Sequence, residues 1–184
     1  MVVIQFKDII GTNKELEFIE AVNMFSCKDD DVETFLKNKA FEYEKRNKSR
    51  TYLILDDLHL YKNEIIILGY FTLSLKALWF SSDVSKNKIK IIDGFSKDIK
   101  LTATILIGQF GKDQNNAKNI DGNELFAECL KVVYDIHNRI GNRIVLLECI
   151  DFEKIVNFYK KNNFEILQSN ESGKYLQMIK QLWT

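Results

Sequence analysis

A polar run, Gly108-Gln-Phe-Gly-Lys-Asp-Gln-Asn-Asn-Ala-Lys-Asn-Ile-Asp-Gly-Asn-Glu124, joins an apolar segment to the clearest helical stripe in the chain. If the run links a strand to a helix, the first helical turn carries free N–H groups that accept a phosphate. The same residues also fit a plain connection with Gly122 near the N-cap, and on their own they leave both readings open. Glu148 follows the apolar Ile144-Val-Leu-Leu147. A carboxylate at that end of a strand takes a proton from an amine, or it pairs with a lysine or arginine. Cys149, beside it, would need a base to become a nucleophile, and a small buried cysteine is the commoner outcome. Cys27 and Cys129 read as structural as well. His59 follows Asp56-Asp57 in a turn, and His137 lies on the polar side of a helix. Two histidines and three scattered cysteines do not make a zinc site. Asp29-Asp30-Asp31 lacks the glycine and distal glutamate of a calcium loop and suits helix capping instead. No metal is expected.

These residues need elements to hold them. Val2 to Phe6 suggests a short strand, and 15–25 a helix with Leu16, Ile19, Val22 and Met24 near helical spacing. Asp30 with Glu33 reads as a capping box opening a helix that carries Val32, Phe35, Leu36, Ala40 and Tyr43 and ends near Arg46. Strands are predicted over 51–56, 64–75 and 102–111, with a polar, lysine-bearing loop over 81–100. Leu125, Cys129, Val133, Ile136 and Ile140 form the stripe of a helix over 123–140, stopped by Gly141-Asn142. A buried strand over 143–150, a short helix over 152–162 and closing strands over 164–167 and 175–182 complete the order. The centre is a βαβ unit with a right-handed crossover. In such units ligands bind at the carboxyl ends of the strands, beside the next helix, which brings attention back to 108–124.

Composition narrows the function classes. The 184 residues suit one domain over 1–184. Twenty-six basic and 26 acidic residues cancel, which excludes a wholesale nucleic-acid coat. Charge is nevertheless segregated: Lys37, Lys39, Lys45, Arg46, Lys48 and Arg50 face only Glu42 and Glu44 within 37–50. That cluster, with the lysines at 86, 88, 90, 97 and 100, would either contact RNA phosphates or form a solvated face. The second is favoured, so no strong nucleic-acid binding is expected. No stretch approaches 18 uncharged apolar residues, so no membrane span is expected. The first residues do not read as a secretory signal, and an odd cysteine count fits a reducing cytoplasm.

The segment 108–124 resembles motif A of the GNAT acyltransferase superfamily, in which a central strand, an Arg/Gln-x-x-Gly-x-Gly/Ala loop and a helix cradle the coenzyme A pyrophosphate. Asp113 falls where that family often has an acid ending the strand, Gly122 on the last glycine and Leu125 on the usual helix leucine. Ala117 stands at the Arg/Gln position and Ile120 at the first glycine. Lys118, Asn119 and Asn123 offer side-chain donors in compensation. Asn157-Phe-Tyr-Lys-Lys-Asn-Asn-Phe164 is similar to motif B, Phe-Tyr-x-x-x-Gly-Phe, with Phe158, Tyr159 and Phe164 in register and Asn163 replacing the glycine. Asparagine tolerates the left-handed conformation better than other non-glycine residues. The resemblance spans about residues 30–180. Within the superfamily, Ile107-Gly-Gln-Phe-Gly-Lys-Asp113 and Leu68-Gly-Tyr-Phe-Thr-Leu73 are similar to bacterial tRNA-acetylating toxins.

The resemblance implies an α/β fold of α+β type, with a mixed, mainly antiparallel sheet of six or seven strands flanked by about four helices. It implies acetyl transfer from acetyl-CoA to a primary amine in a ternary complex. Tyr159 would protonate the leaving thiolate; a phenol with a pKa of about 10 is still a neutral acid at pH 7. Glu148 is the candidate base. Phe110, Gly111 and Lys112 would hold the pantetheine, and the backbone of Lys118, Asn119, Ile120, Asp121, Gly122 and Asn123 the pyrophosphate. The partner would be a small-molecule or protein amine, and a homodimer is compatible with this reading. Two alternatives remain: a GNAT-shaped binding module without catalysis, to which Ala117 and Ile120 point, and an aminoacyl-tRNA-acetylating toxin with a protein antitoxin.

Overall fold

The computed structural model describes residues 1–62, 64–116 and 120–183. The strands are β1 Val2–Gln5, β2 Arg50–Leu55, β3 Ile67–Trp79, β4 Leu101–Lys112, β5 Ile144–Cys149, β6 Glu165–Ser169 and β7 Leu176–Gln181. The helices are α1 Glu15–Met24, α2 Asp30–Asn38, α3 Ala40–Lys45, α4 Asp57–Leu60, α5 Lys86–Asp93, α6 Gly122–Ile140 and α7 Glu153–Lys161, with a 3-10 turn at Phe6–Asp8. The seven strands form one sheet in the order β1-β2-β3-β4-β5-β7-β6. β1 with β2, β2 with β3, β5 with β7 and β6 with β7 are antiparallel, whereas β4 and β5 are parallel. The expected architecture is therefore present, with seven strands.

By backbone contacts the chain divides into two compact units, residues 1–74 with 109–131, and residues 75–108 with 132 onward. β3, β4 and α6 each contribute to both. The core of the first unit gathers Phe6, Phe18, Val22, Phe25, Leu36, Leu53 and Tyr70. In the second, Leu78, Ile92, Ile144, Leu146 and Ile179 pack together.

Several sequence expectations need correction. The helix expected from Asp30 to Arg46 is two helices that break at Lys39, whose φ of −124° leaves the helical region. Beyond the break, Glu44 points inward. The residue is 3% exposed, and its carboxylate accepts from the Thr51 N–H at 2.7 Å and from Arg50 Nη1 at 3.1 Å, which fastens α3 to β2. The N-cap of α2 is Asp29, not Asp30: its side chain accepts from the N–H groups of Asp31 and Val32. Glu33 reaches back to the Cys27 N–H at 2.8 Å. The lysine-bearing stretch 81–100 is not all loop, because it contains α5, capped by Ser85 and ended by Gly94 at φ +93°. The turn at Asp56-Asp57 is the capped start of α4. β3 starts later than expected and runs on to Trp79. Among the described residues there are seven helices where about four were expected, and two of them, α3 and α4, are only six and four residues long.

Candidate functional site

In the first unit, close packing sets where α6 begins. A Cβ at Gly69 would lie 2.2 Å from Leu125 Cδ1 and 2.7 Å from the Gly111 carbonyl oxygen. A Cβ at Gly111 would lie 2.6 Å from Val32 Cγ1. Glycine at these two positions lets α6 descend onto β3 and lets α2 pack against the end of β4. Phe110 sets its ring edge-on to Phe126 at 5.0 Å. The Lys112 ammonium donates to the Ile120 carbonyl, which closes the connection between β4 and α6. The side chain of Ile120 is 5% exposed, so it serves the core. It is not among the described non-glycine residues of positive φ, which are Asn47, Asn142 and Asn163. Ala117, Lys118 and Asn119 lie outside the described residues.

The start of α6 carries its own anions. The Glu124 carboxylate accepts from the Asp121 N–H at 3.0 Å, and the Asp121 carboxylate accepts from Asn123 Nδ2 at 3.1 Å. That side-chain bond, helped by the N–H groups of Asn123 and Gly122, holds the Asp121 carboxyl below its ordinary pKa. Free amides of a first helical turn attract negative charge. Here a carboxylate of the chain itself draws on them.

In the second unit, α7 closes on a Schellman motif. The Phe164 N–H donates to the Tyr159 carbonyl and the Asn163 N–H to the Lys160 carbonyl, both at 3.0 Å. Between them Asn163 takes φ +65°. This six-to-one and five-to-two pattern requires a left-handed residue at the first position beyond the cap, and a contact between the flanking apolar residues usually accompanies it. The Tyr159 and Phe164 rings supply that contact, with centroids 6.1 Å apart. Phe158 adds an edge-on ring at 5.2 Å from Tyr159. The phenol is half-buried.

Glu148, near the end of β5, is paired. Its Oε1 accepts from Lys76 Nζ and from Gln177 Nε2, each at 2.7 Å. Gln168 Nε2 in turn reaches the Gln177 amide oxygen and the Trp79 carbonyl, each at 2.7 Å. Sequence could place Glu148 on its strand but not name its cation, because Lys76 is 72 residues away. Burial and Asp151 push the Cys149 thiol up to about 11, and burial pushes Cys129 well above its usual value. Neither supplies a thiolate at neutral pH. His137 Nδ1 lies 2.7 Å from the Asn142 carbonyl and ties off the end of α6. Among the described residues, no three His, Cys, Asp or Glu side chains come together as metal ligands. No helix among them is long and apolar enough to cross a membrane.

The basic cluster of 37–50 is largely spent within the chain. Lys37 pairs with Glu33 at 2.7 Å, Arg46 with Glu42 at 3.2 Å and Arg50 with Glu44 at 3.1 Å. Lys45 sits 4.1 Å from the centre of the Phe41 ring.

No protein-family model matches the sequence. No curated protein matches it either. Solved structures do. A tyrosine-to-phenylalanine mutant of KacT is similar over 98% of this chain and 94% of its own, with a TM-score of 0.70 and 19% identity. AtaT complexed with acetyl-methionyl-tRNAfMet is similar over 84% of this chain and 85% of its own, with a TM-score of 0.66 and 21% identity. A mutant AtaT toxin bound to acetyl-CoA and to the C-terminus of the antitoxin AtaR is similar over 88% of this chain and 85% of its own, with a TM-score of 0.64 and 17% identity. These toxins have the GNAT fold, and their likeness extends along nearly the whole chain. The fold of this chain is the GNAT acyltransferase fold.

Proposed function

We propose that this chain transfers an acetyl group from acetyl-CoA to a primary amine. The observation that carries the reading is the closure of α7, in which Asn163 supplies the left-handed residue and Tyr159 the phenol. The solved structure bound to acetyl-CoA supports the same donor. Phe110, Gly111 and Lys112 would hold the pantetheine, and Ile120, Asp121, Gly122 and Asn123 the pyrophosphate through the start of α6. Lys118 and Asn119 would add donors.

In the reaction the amine lone pair attacks the thioester carbonyl carbon. The tetrahedral oxyanion collapses, the C–S bond breaks, and the thiolate takes the Tyr159 phenolic proton. The proton lost by the amine goes to Glu148 or to water, and Glu148 must first loosen its bond to Lys76 to receive it. Most of the rate gain comes from holding amine and thioester together and from hydrogen bonds to the oxyanion. Such an enzyme would work in the cytoplasm. The test is calorimetric titration with acetyl-CoA, followed by detection of free thiol on addition of amines. A folded chain that neither binds acetyl-CoA nor releases thiol would return the reading to a binding module without catalysis.

A second reading differs in the acceptor: the amine is the α-amine of an aminoacyl-tRNA, and the partner is an antitoxin. The solved complex of AtaT with acetyl-methionyl-tRNAfMet favours it. The internal pairing of Lys37, Arg46 and Arg50 weighs against this cluster as the RNA contact. Growth arrest on expression, with acetylated aminoacyl-tRNA recovered from the cells, would establish the second reading.

A further inference from the structure

Among the described residues, the carboxylate just beyond β4 has three donor bonds and no cation. Asp113 is 2% exposed. Its Oδ1 accepts from the Ser26 N–H at 2.9 Å. Its Oδ2 accepts from the Asn116 N–H at 2.8 Å and from Asn116 Nδ2 at 2.9 Å. Its own N–H donates to the Leu68 carbonyl at 2.9 Å, which keeps the residue in line with β3. Two further bonds run alongside, from the Gln114 N–H to the Ser26 carbonyl at 2.7 Å and from Asn115 Nδ2 to the Met24 carbonyl at 3.2 Å.

Together these bonds bolt two segments that are 87 residues apart in sequence. One is the exit of α1, Met24 to Ser26. The other is the start of the connection that leads to α6. A buried carboxylate is costly unless its lone pairs are filled, so each donor here has one favoured position. The stem at 114–116 is therefore held at both ends, by Asp113 from β4 and by the α1 exit through Ser26 and Met24.

We propose that Asp113 is a positioning residue for the acetyl donor: it holds the stem of the β4–α6 connection, whose far end Lys112 ties down at the Ile120 carbonyl, so that the start of α6 at Gly122 and Asn123 meets the pyrophosphate. This rests on the acetyl-CoA reading above. Asp113 touches neither the donor nor the amine in this proposal; it acts through Asn116 and Ser26. Its loss should raise the KM for acetyl-CoA while leaving turnover at saturating donor unchanged. A residue that merely stabilised the fold would lower the active fraction and the melting temperature without moving that KM.

The experiment compares Asp113→Asn, Asn116→Ala and the wild-type chain by steady-state kinetics with acetyl-CoA varied at fixed amine, beside thermal melts. Asp113→Asn puts an amide where a carboxylate oxygen took N–H donors, and the KM for acetyl-CoA should rise at least tenfold with kcat within twofold. Asn116→Ala keeps the backbone bond and loses only the side-chain one, so it should fold and raise the same KM about threefold. The KM for the amine should stay within twofold in both. A changed melting temperature with an unchanged KM for acetyl-CoA, or a fall confined to kcat, would overturn the proposal. A wild-type chain that does not use acetyl-CoA overturns the underlying reading as well, and that outcome is seen before any variant is compared.

Discussion

The Phe164 N–H donates to the Tyr159 carbonyl at 3.0 Å across a left-handed Asn163, so the helix terminus itself holds the proposed acid. The backbone of Tyr159 serves the closure. The spacing Tyr-x-x-x-Asn-Phe is thus the spacing of a Schellman motif, from the third-last helical residue to the second residue beyond the cap.

This arrangement makes position 163 informative. Asn163→Gly should keep or slightly raise stability, because glycine takes positive φ freely. Asn163→Val should cost about 1–2 kcal/mol, since a β-branched residue is strained in the left-handed region. Urea unfolding of the two variants measures the difference, and equal midpoints would show that position 163 does not set the closure.

Gly69 should tolerate no side chain. In Gly69→Ala the new methyl meets Leu125 Cδ1 and the Gly111 carbonyl oxygen, and stability should fall by about 1–3 kcal/mol. Adding Leu125→Ala removes one of those clashes and should return part of the loss beyond the sum of the single effects. Strictly additive changes would mean that the two residues do not press on each other.

If the start of α6 is the pyrophosphate cradle proposed above, the Asp121 carboxylate opposes the ligand. Asp121→Asn keeps a good N-cap and removes the charge, so acetyl-CoA affinity should rise about threefold or more. Calorimetry checks it, and weaker binding would show that the carboxylate assists the cofactor. The same group gives a pH signature. Its folded pKa is depressed, so its contribution to stability is present above the unfolded value and is lost as pH falls below about 4.

The basic cluster separates the two acceptor readings. With Lys37, Arg46 and Arg50 already paired, Lys45→Glu, Arg46→Glu and Lys48→Glu together should leave acetyl-CoA binding and transfer to a small amine unchanged. No tRNA complex should form at moderate salt. A submicromolar, salt-sensitive tRNA complex in the wild type, abolished in the triple variant, would assign the cluster to RNA.

Much of the fold was legible because local signals agreed with burial. The stripe through Leu125, Cys129 and Val133 is buried in α6, although its last member, Ile140, is 66% exposed. Asn163 was legible as a glycine substitute because its side chain tolerates positive φ. Helix α5 carried readable signals that the lysines masked: Ser85 as cap, Ile89 and Ile92 buried three apart, and Gly94 as stop. The break at Lys39 was not legible, because no glycine or proline marks it. It follows from a tertiary demand, the inward turn of Glu44 toward Arg50 and Thr51. The same limit applies to the site. Glu148 was visible as a carboxylate on an apolar strand, but its partner Lys76 depends on strand order. Asp113 could be read as a strand end, whereas its bond to Ser26 requires the folded α1 exit.

The most direct test of acetyl transfer through Tyr159 is the rate of thiol release from acetyl-CoA, in the presence of an amine, by wild type and Tyr159→Phe. The variant keeps the ring, the contact with Phe164 and the helix closure, so folding and acetyl-CoA affinity should be unchanged. Thiol release should fall about 10²–10⁴-fold. Thiol release at the wild-type rate from the folded variant would contradict the role given to the phenol.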